Sequence, residues 1–162
     1  MRFFRFFMMF KAFIGTVLLA LPTTAEPLLL DQIKHIHGIT VDAANPDRLL
    51  LATHQGLFAA GPDGLAIRIS NLNADFMSFA AHPKKPKRLM ASGHPAKGGN
   101  LGVMASDDGG ITWAQISQGD GSPVDFHALA ISAKDTQTVY GLFNGLQVSR
   151  DDGVSWKRVG NG

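Results

Sequence analysis

The stretch Ser106 to Trp113, SDDGGITW, decides how the rest of the chain is read. It fits the pattern Ser-x-Asp-x-Gly-x-Thr-Trp at every fixed position. The pattern returns at Ser149 to Trp156, SRDDGVSW, with Ser155 in place of Thr112. Each residue type has a physical task. An Asp in a tight turn (Asp108, Asp151) accepts hydrogen bonds from nearby backbone N–H groups and from the Thr or Ser hydroxyl. Gly110 and Gly153 permit backbone angles that cost other residues energy. Trp113 and Trp156 stand before the next strand, where an indole buries a large apolar area. The motif therefore predicts a clasp across a β-hairpin; it specifies fold rather than chemistry.

Working outward, the chain shows internal period. One segment runs from His37 (HGITVDAANPDRLLLAT, then GLFAAGPDG), a second from Met77 (MSFAAHPKKPKRLMASG, then LGVMASDDGGITW), a third from His127 (HALAISAKDTQTVYGLF, then GLQVSRDDGVSW). Ile39, Phe79 and Leu129 correspond, as do Val41, Ala81 and Ile131, and Leu49, Leu89 and Val139. Each segment reads as four short strands with turns between them, in the first Gly38–Val41, Arg48–Thr53, Gly56–Ala60 and Leu65–Ile69. The extra length of the second falls in a loop at Gly93–Gly99. In the first segment the clasp has decayed: Ala60 and Pro62 replace its Ser and Asp, and Gly64 remains.

The repeated motif resembles the Asp-box, or BNR repeat, of sialidase-like and related β-propellers. The expected fold is all-β: a sialidase-like β-propeller with three four-stranded blades at about 37–70, 76–118 and 126–160, half of a six-bladed ring. Propellers close with roughly four to eight blades, and open edges invite pairing. A second propeller half, a homodimer or a further stretch of chain is expected to complete it, and Gly160-Asn161-Gly162 suits a blade boundary.

Residues 1–25 read as a signal peptide: Arg2, Arg5 and Lys11, then the apolar run Ala12 to Leu21, Pro22, and small residues before Glu26. The run is short for a membrane span of roughly 20 residues, and no Cys follows it to carry lipid. The expected location is periplasmic or secreted, with no membrane association after cleavage. Three of the 15 Lys and Arg leave with the signal and none of the 13 acids, so 12 minus 13 gives −1. The basic character belongs to the leader and is no nucleic-acid footprint. Few aromatics interleave with basic residues, which argues against single-stranded nucleic acid. The run Lys84-Lys85, Lys87-Arg88 reads as a solvated turn. With no Cys, packing alone holds the fold, and thiolate chemistry is excluded.

The six His lie in short contexts: His35-Ile36-His37-Gly38, Thr53-His54-Gln55-Gly56, His82-Pro83, Gly93-His94-Pro95 and Asp125-Phe126-His127. This set, HxHG, THxGLF, GHP and DFH in that order, is similar to a family of exported bacterial BNR-repeat proteins labelled glycosyl hydrolases. The resemblance covers nearly all of the chain after the signal.

His37, Met77 and His127 hold equivalent places at the start of the innermost strands, which ring one mouth of a propeller channel. His54 and His94 follow second strands. His35 and His37 alternate along an extended segment and are expected on one face. Such a His/Met set could hold zinc or copper, contact a small ligand or protein partner, or shape loops by bonding carbonyls. His82 sits in a turn where a surface His needs no explanation. A sialidase would need an Arg triad, a Tyr and a Glu. After the signal there is one Tyr, Tyr140, one Glu, Glu26, and no convergent set among Arg48, Arg68, Arg88, Arg150 and Arg158. An ordinary glycosidase needs two carboxylates. Asp108 and Asp151 are committed to clasps, Asp107 and Asp152 lie in the same exposed turns, and Asp125 beside His127 is the best remaining acid. The reading that follows is a non-catalytic exported binding or assembly module, with a glycan-active hydrolase as the alternative.

Overall fold

A computed structural model of the protein describes residues 25–160. The signal peptide expected at 1–25 lies, but for Ala25, outside them. Among the described residues no helix is long and apolar enough to cross a membrane.

Three antiparallel sheets follow one another along the chain. The first holds β1 (Leu28–Leu29), β2 (Ile36–Val41), β3 (Leu49–Thr53), β4 (Gly56–Ala60) and β5 (Leu65–Arg68), in the order β1-β5-β4-β3-β2. The second is β6 (Ala74–Ala81), β7 (Leu89–Pro95), β8 (Val103–Ser106) and β9 (Ala114–Ser117). The third is β10 (Ala128–Ile131), β11 (Val139–Leu142), β12 (Leu146–Ser149) and β13 (Lys157–Arg158). β2 lies against β6 and β6 against β10, so the first strand of each set of four is innermost. This is a partial β-propeller.

The first sheet departs from the expected four strands. β1 pairs with β5, and Leu28 and Ile33 cover Leu51, Phe58, Ala60 and Ala66, an apolar face that would otherwise meet water. β3 starts at Leu49 rather than Arg48, because Arg48 closes the preceding turn: its N–H donates to Asn45 O and its carbonyl accepts from Asp42 N. The loop expected at Gly93–Gly99 is in part strand, since β7 continues through His94 and Pro95.

Each pair of sheets encloses apolar side chains. Leu50, Ala52, Leu57 and Ala59 meet Ala74, Phe76, Leu89 and Ala91. Met90 and Val103 meet Val124, Phe126, Val139 and Trp156. Burying a side chain of this size contributes roughly 1.5–3 kcal/mol, which makes these two seams the main hold between sheets. Each clasp Trp lies on a Phe near the start of its own innermost strand, Phe76 within β6 and Phe126 two residues before β10. Phe76 and Trp113 have ring centroids 4.8 Å apart, and so do Phe126 and Trp156.

The clasps have the expected chemistry. Asp108 Oδ1 accepts from Ser106 Oγ at 2.8 Å, Ile111 N at 3.0 Å and Thr112 N at 2.9 Å; Oδ2 accepts from Thr112 Oγ1 at 2.5 Å. Asp151 takes Ser149 Oγ at 2.8 Å, Ser155 N at 2.9 Å and Ser155 Oγ at 2.6 Å. Trp113 Nε1 donates to Gly110 O and Trp156 Nε1 to Gly153 O. Burial pulls the Asp108 pKa upward, but its bonds from Thr112, Ser106 and Ile111 outweigh that and hold it at about 2. Asp151 is also held at about 2, first by the Ser155 hydroxyl and then by the Ser155 N–H.

Three further expectations are corrected. His82 is 3 % exposed and belongs to the structure, not the surface: its Nδ1 accepts from Lys84 N and Lys85 N. Asp42 and Ser132 hold the equivalent places and likewise accept backbone N–H groups in their turns. Burial, then the Lys85 charge, lowers the His82 pKa, as a neutral capping imidazole requires. Asp152 is not an exposed turn residue. Its carboxylate meets Arg88 at 3.4 Å and Lys85 at 3.7 Å, and Arg88 also holds Asp107 at 3.0 Å. The basic run thus ties the second sheet to the third through Arg88, whose side chain is 13 % exposed.

Candidate functional site: a His/Asp mouth

The start of β2 carries a bulge between Ile36 and Gly38, and His37 is the extra residue. Bulges re-aim side chains, and this one turns His37 toward its neighbour sheet. His35 has φ 54°, a left-handed conformation. The plain alternation expected for His35 and His37 is therefore absent. The two rings instead converge on His54, each with its centroid 4.6 Å from that ring. His54 stands in the two-residue turn between β3 and β4. Thr53 Oγ1 fixes that turn by donating to Gly56 O and accepting from Gln55 N.

Across the seam lies Asp75 of β6. Its Oδ2 is 2.6 Å from His54 Nδ1, and its Oδ1 is buried with no hydrogen-bond partner. A carboxylate only accepts, so His54 presents its Nδ1–H to Asp75. His54 Nε2 is 3.1 Å from His37 Nε2, and His37 Nε2 is 3.8 Å from Asp75 Oδ1. Among the described residues, His37, His54 and Asp75 form the group whose ligand atoms come together closely enough to hold one metal ion.

A second cluster adjoins the first. Asp75 is the strand partner of His94 in β7, and directly paired residues place their side chains on one face. Gly93, with φ 155°, allows this approach, because a Cβ there would sit 1.9 Å from Asp75 O. His94 Nε2 is 2.9 Å from Asp125 Oδ2, and His127 Nε2 is 2.8 Å from the same oxygen. Asp125 Oδ1 is buried without a partner, and its side chain is 4 % exposed. Ser92 Oγ fixes this segment by accepting from Phe126 N at 2.9 Å and donating to Gly102 O at 2.7 Å. His94 Nδ1 faces Gly99 O at 2.8 Å. Both its ring nitrogens thus meet acceptors, and the protonated ring satisfies both. The Gly99 carbonyl is the chief cause of its raised pKa, with Asp125 and Asp75 adding to it against the cost of burial.

The structure brings His35, His37 and His54 into one cluster and His94, His127 and Asp125 into the other. Met77 is the half-buried extra residue of the bulge in β6, where His37 stands in β2. Sequence reasoning missed Asp75. The signal was present: Asp75-Phe76-Met77 repeats as Asp125-Phe126-His127 at the same place in the next blade. The geometry gives that repeat its meaning, since the His at the end of a second strand (His54 just past β3, His94 within β7) meets the Asp near the start of the next innermost strand at both junctions (Asp75, Asp125).

Arg48, Arg88, Arg150, Arg158 and Tyr140, considered for sialidase chemistry, lie elsewhere. Arg48 pairs with Asp42, Arg88 with Asp107 and Asp152, Arg150 bonds Thr138 Oγ1, and Arg158 bonds Asn144 O. Tyr140 is on the outer face of the third sheet, 38 % exposed.

No protein-family model and no curated protein matches the chain. Solved structures do. It is similar to an ancestral GH74 enzyme, with 18% identity over 85% of this chain and 19% of that one and a TM-score of 0.63. A GH74 xyloglucanase from Xanthomonas campestris matches at 20% identity over 83% and 25%, TM-score 0.54. A GH74 enzyme from Niastella koreensis matches at 18% over 75% and 23%, TM-score 0.58. The chain spans about a fifth to a quarter of the length of these enzymes. At such identities the likeness shows the fold alone, that of a β-propeller.

Proposed function

We propose that this chain is an exported, non-catalytic binding module of the BNR-repeat propeller type, and that its ligand seat is the His/Asp mouth. The observation that carries the reading is the convergence of His37 and His54, Asp75 and His94, and Asp125 and His127 from three successive sheets on one end of the fold. Both carboxylates of the mouth, Asp75 and Asp125, keep one buried oxygen without a hydrogen-bond partner. Export rests on the basic and apolar leader before Glu26.

A glycan-active hydrolase is the second reading, favoured by the GH74-like fold and by two carboxylates at the mouth, Asp75 in β6 and Asp125 in the segment before β10. Against it, each carboxylate already engages imidazoles, so neither is a free acid or nucleophile. We assign the open side of the propeller to a second copy of the chain. The third sheet exposes Tyr140, Leu142 and Leu146, and the first exposes Ile39, Val41 and Leu49.

Histidine NMR resonances, followed during titration with xyloglucan oligosaccharides, other soluble glycans and small anions, test the reading. The binding module predicts that His94 and His127 shift together at saturation, with no release of reducing ends. Turnover that disappears in Asp125→Asn would establish the hydrolase instead.

A further inference from the structure

We infer that His37, His54 and Asp75 form a binding site for one divalent transition-metal ion, zinc or copper, with an open coordination position facing the rest of the mouth. The inference rests on the reading of the mouth as a ligand seat and gives half of it a chemical identity.

Four observations support the site. Two imidazole Nε2 atoms stand 3.1 Å apart. Metal–nitrogen bonds of 2.0–2.1 Å at a tetrahedral angle place two such ligands about 3.3 Å apart, so little movement is needed to admit an ion between them. The ligand atoms of His37, His54 and Asp75 all lie within 4.8 Å of one another. Asp75 Oδ1 is buried, lacks a hydrogen-bond partner and lies 3.8 Å from His37 Nε2. The bulge at His37 and the left-handed His35 hold their rings against His54 rather than along the strand.

On binding, His37 moves its proton to Nδ1 and offers Nε2. His54 exchanges its contact with His37 for the ion, and Asp75 leaves His54 Nδ1 and turns Oδ1 to the ion, supplying a negative charge. Two nitrogens and one oxygen suit zinc or copper and do not suit magnesium or calcium, which take oxygen ligands. Three protein ligands leave a fourth position for water or a ligand atom.

The neighbouring cluster is different despite its matching composition. His94 and His127 both direct Nε2 at the same Asp125 oxygen, so that oxygen lies between them where an ion would have to be. It is therefore a hydrogen-bonded triad beside the metal site rather than a second one.

Calorimetric titration of the full chain with zinc chloride tests the inference, with circular dichroism and thermal melting to show that each variant is folded. The expected result is saturable single-site binding, weakened by about tenfold or more in His37→Ala, His54→Ala and Asp75→Asn. Lys157→Ala, an exposed side chain of β13 away from the mouth, should hold affinity within about twofold. Copper(II) bound in place of zinc should show electron-spin hyperfine structure from two imidazole nitrogens, lost in His37→Ala. If His54→Ala fails to fold, His37→Ala carries the test, since it alters one side chain on a surface bulge. Full zinc affinity in folded His37→Ala, or no saturable binding by the folded parent chain, would overturn the site. Either result would leave the binding-module reading intact so long as His94 and His127 still respond to a glycan or anion.

Discussion

Asp108→Asn should destabilise the fold in a pH-dependent way. The carboxylate accepts from Ser106 Oγ, Ile111 N, Thr112 N and Thr112 Oγ1. Asparagine keeps the shape and one acceptor oxygen but removes the charge, and hydrogen bonds to a charged acceptor are roughly twice as strong as neutral ones. The pKa falls from 3.8 to about 2, a shift of about 1.8 units, equivalent to roughly 2.4 kcal/mol at the ordinary 1.36 kcal/mol per unit. Solvent screening at a partly exposed turn lowers this to about 1–2 kcal/mol. Because the folded pKa lies below the unfolded one, the contribution is fully present above the unfolded value near 4 and is lost as pH falls toward 2. Urea denaturation of parent and variant at neutral pH and near pH 2 measures it. The gap in unfolding free energy should be about 1–2 kcal/mol at neutral pH and should close on acidification. A neutral-pH gap below about 0.5 kcal/mol, or one unchanged by acid, would refute the view that the charged carboxylate organises the clasp.

Three further outcomes follow from the same geometry. Gly93→Ala drives a Cβ onto Asp75 O and should cost about 2–4 kcal/mol, with loss of zinc binding because Asp75 moves; denaturation and calorimetry on that variant check both. His94 should titrate above its ordinary value by NMR. Its raised folded pKa contributes stability that is complete below about 6.5 and fades as pH rises through the folded value, and His94→Gln should flatten that dependence in urea melts. Light scattering should show a dimer, and Leu142→Lys on the exposed third sheet should return it to monomer; a monomeric parent chain would remove the second copy as the partner.

The fold was readable because its signals are local. Ser106, Asp108, Gly110 and Thr112 bond one another within a single turn, so their spacing carries the geometry. The Trp that follows reports the hairpin's apolar side. β1 was not readable: Leu28 and Leu29 form a strand only because β5 and the face beneath offer partners. The site was half legible. The six His drew attention by their type, but their grouping depends on which sheet faces which. Asp75 stands outside the repeats read from the sequence and joins the site only because His54 comes across the seam to 2.6 Å. His82 misled for the same reason in reverse, since a His-Pro turn reads as surface until Lys84 N and Lys85 N are seen pointing at Nδ1.

The most direct measurement is anomalous diffraction at the zinc edge from crystals of the full chain grown with zinc. The account predicts a peak between His37 Nε2 and His54 Nε2 with Asp75 Oδ1 beside it. A folded chain with no peak there, or with zinc held instead by His94 and His127, would contradict it.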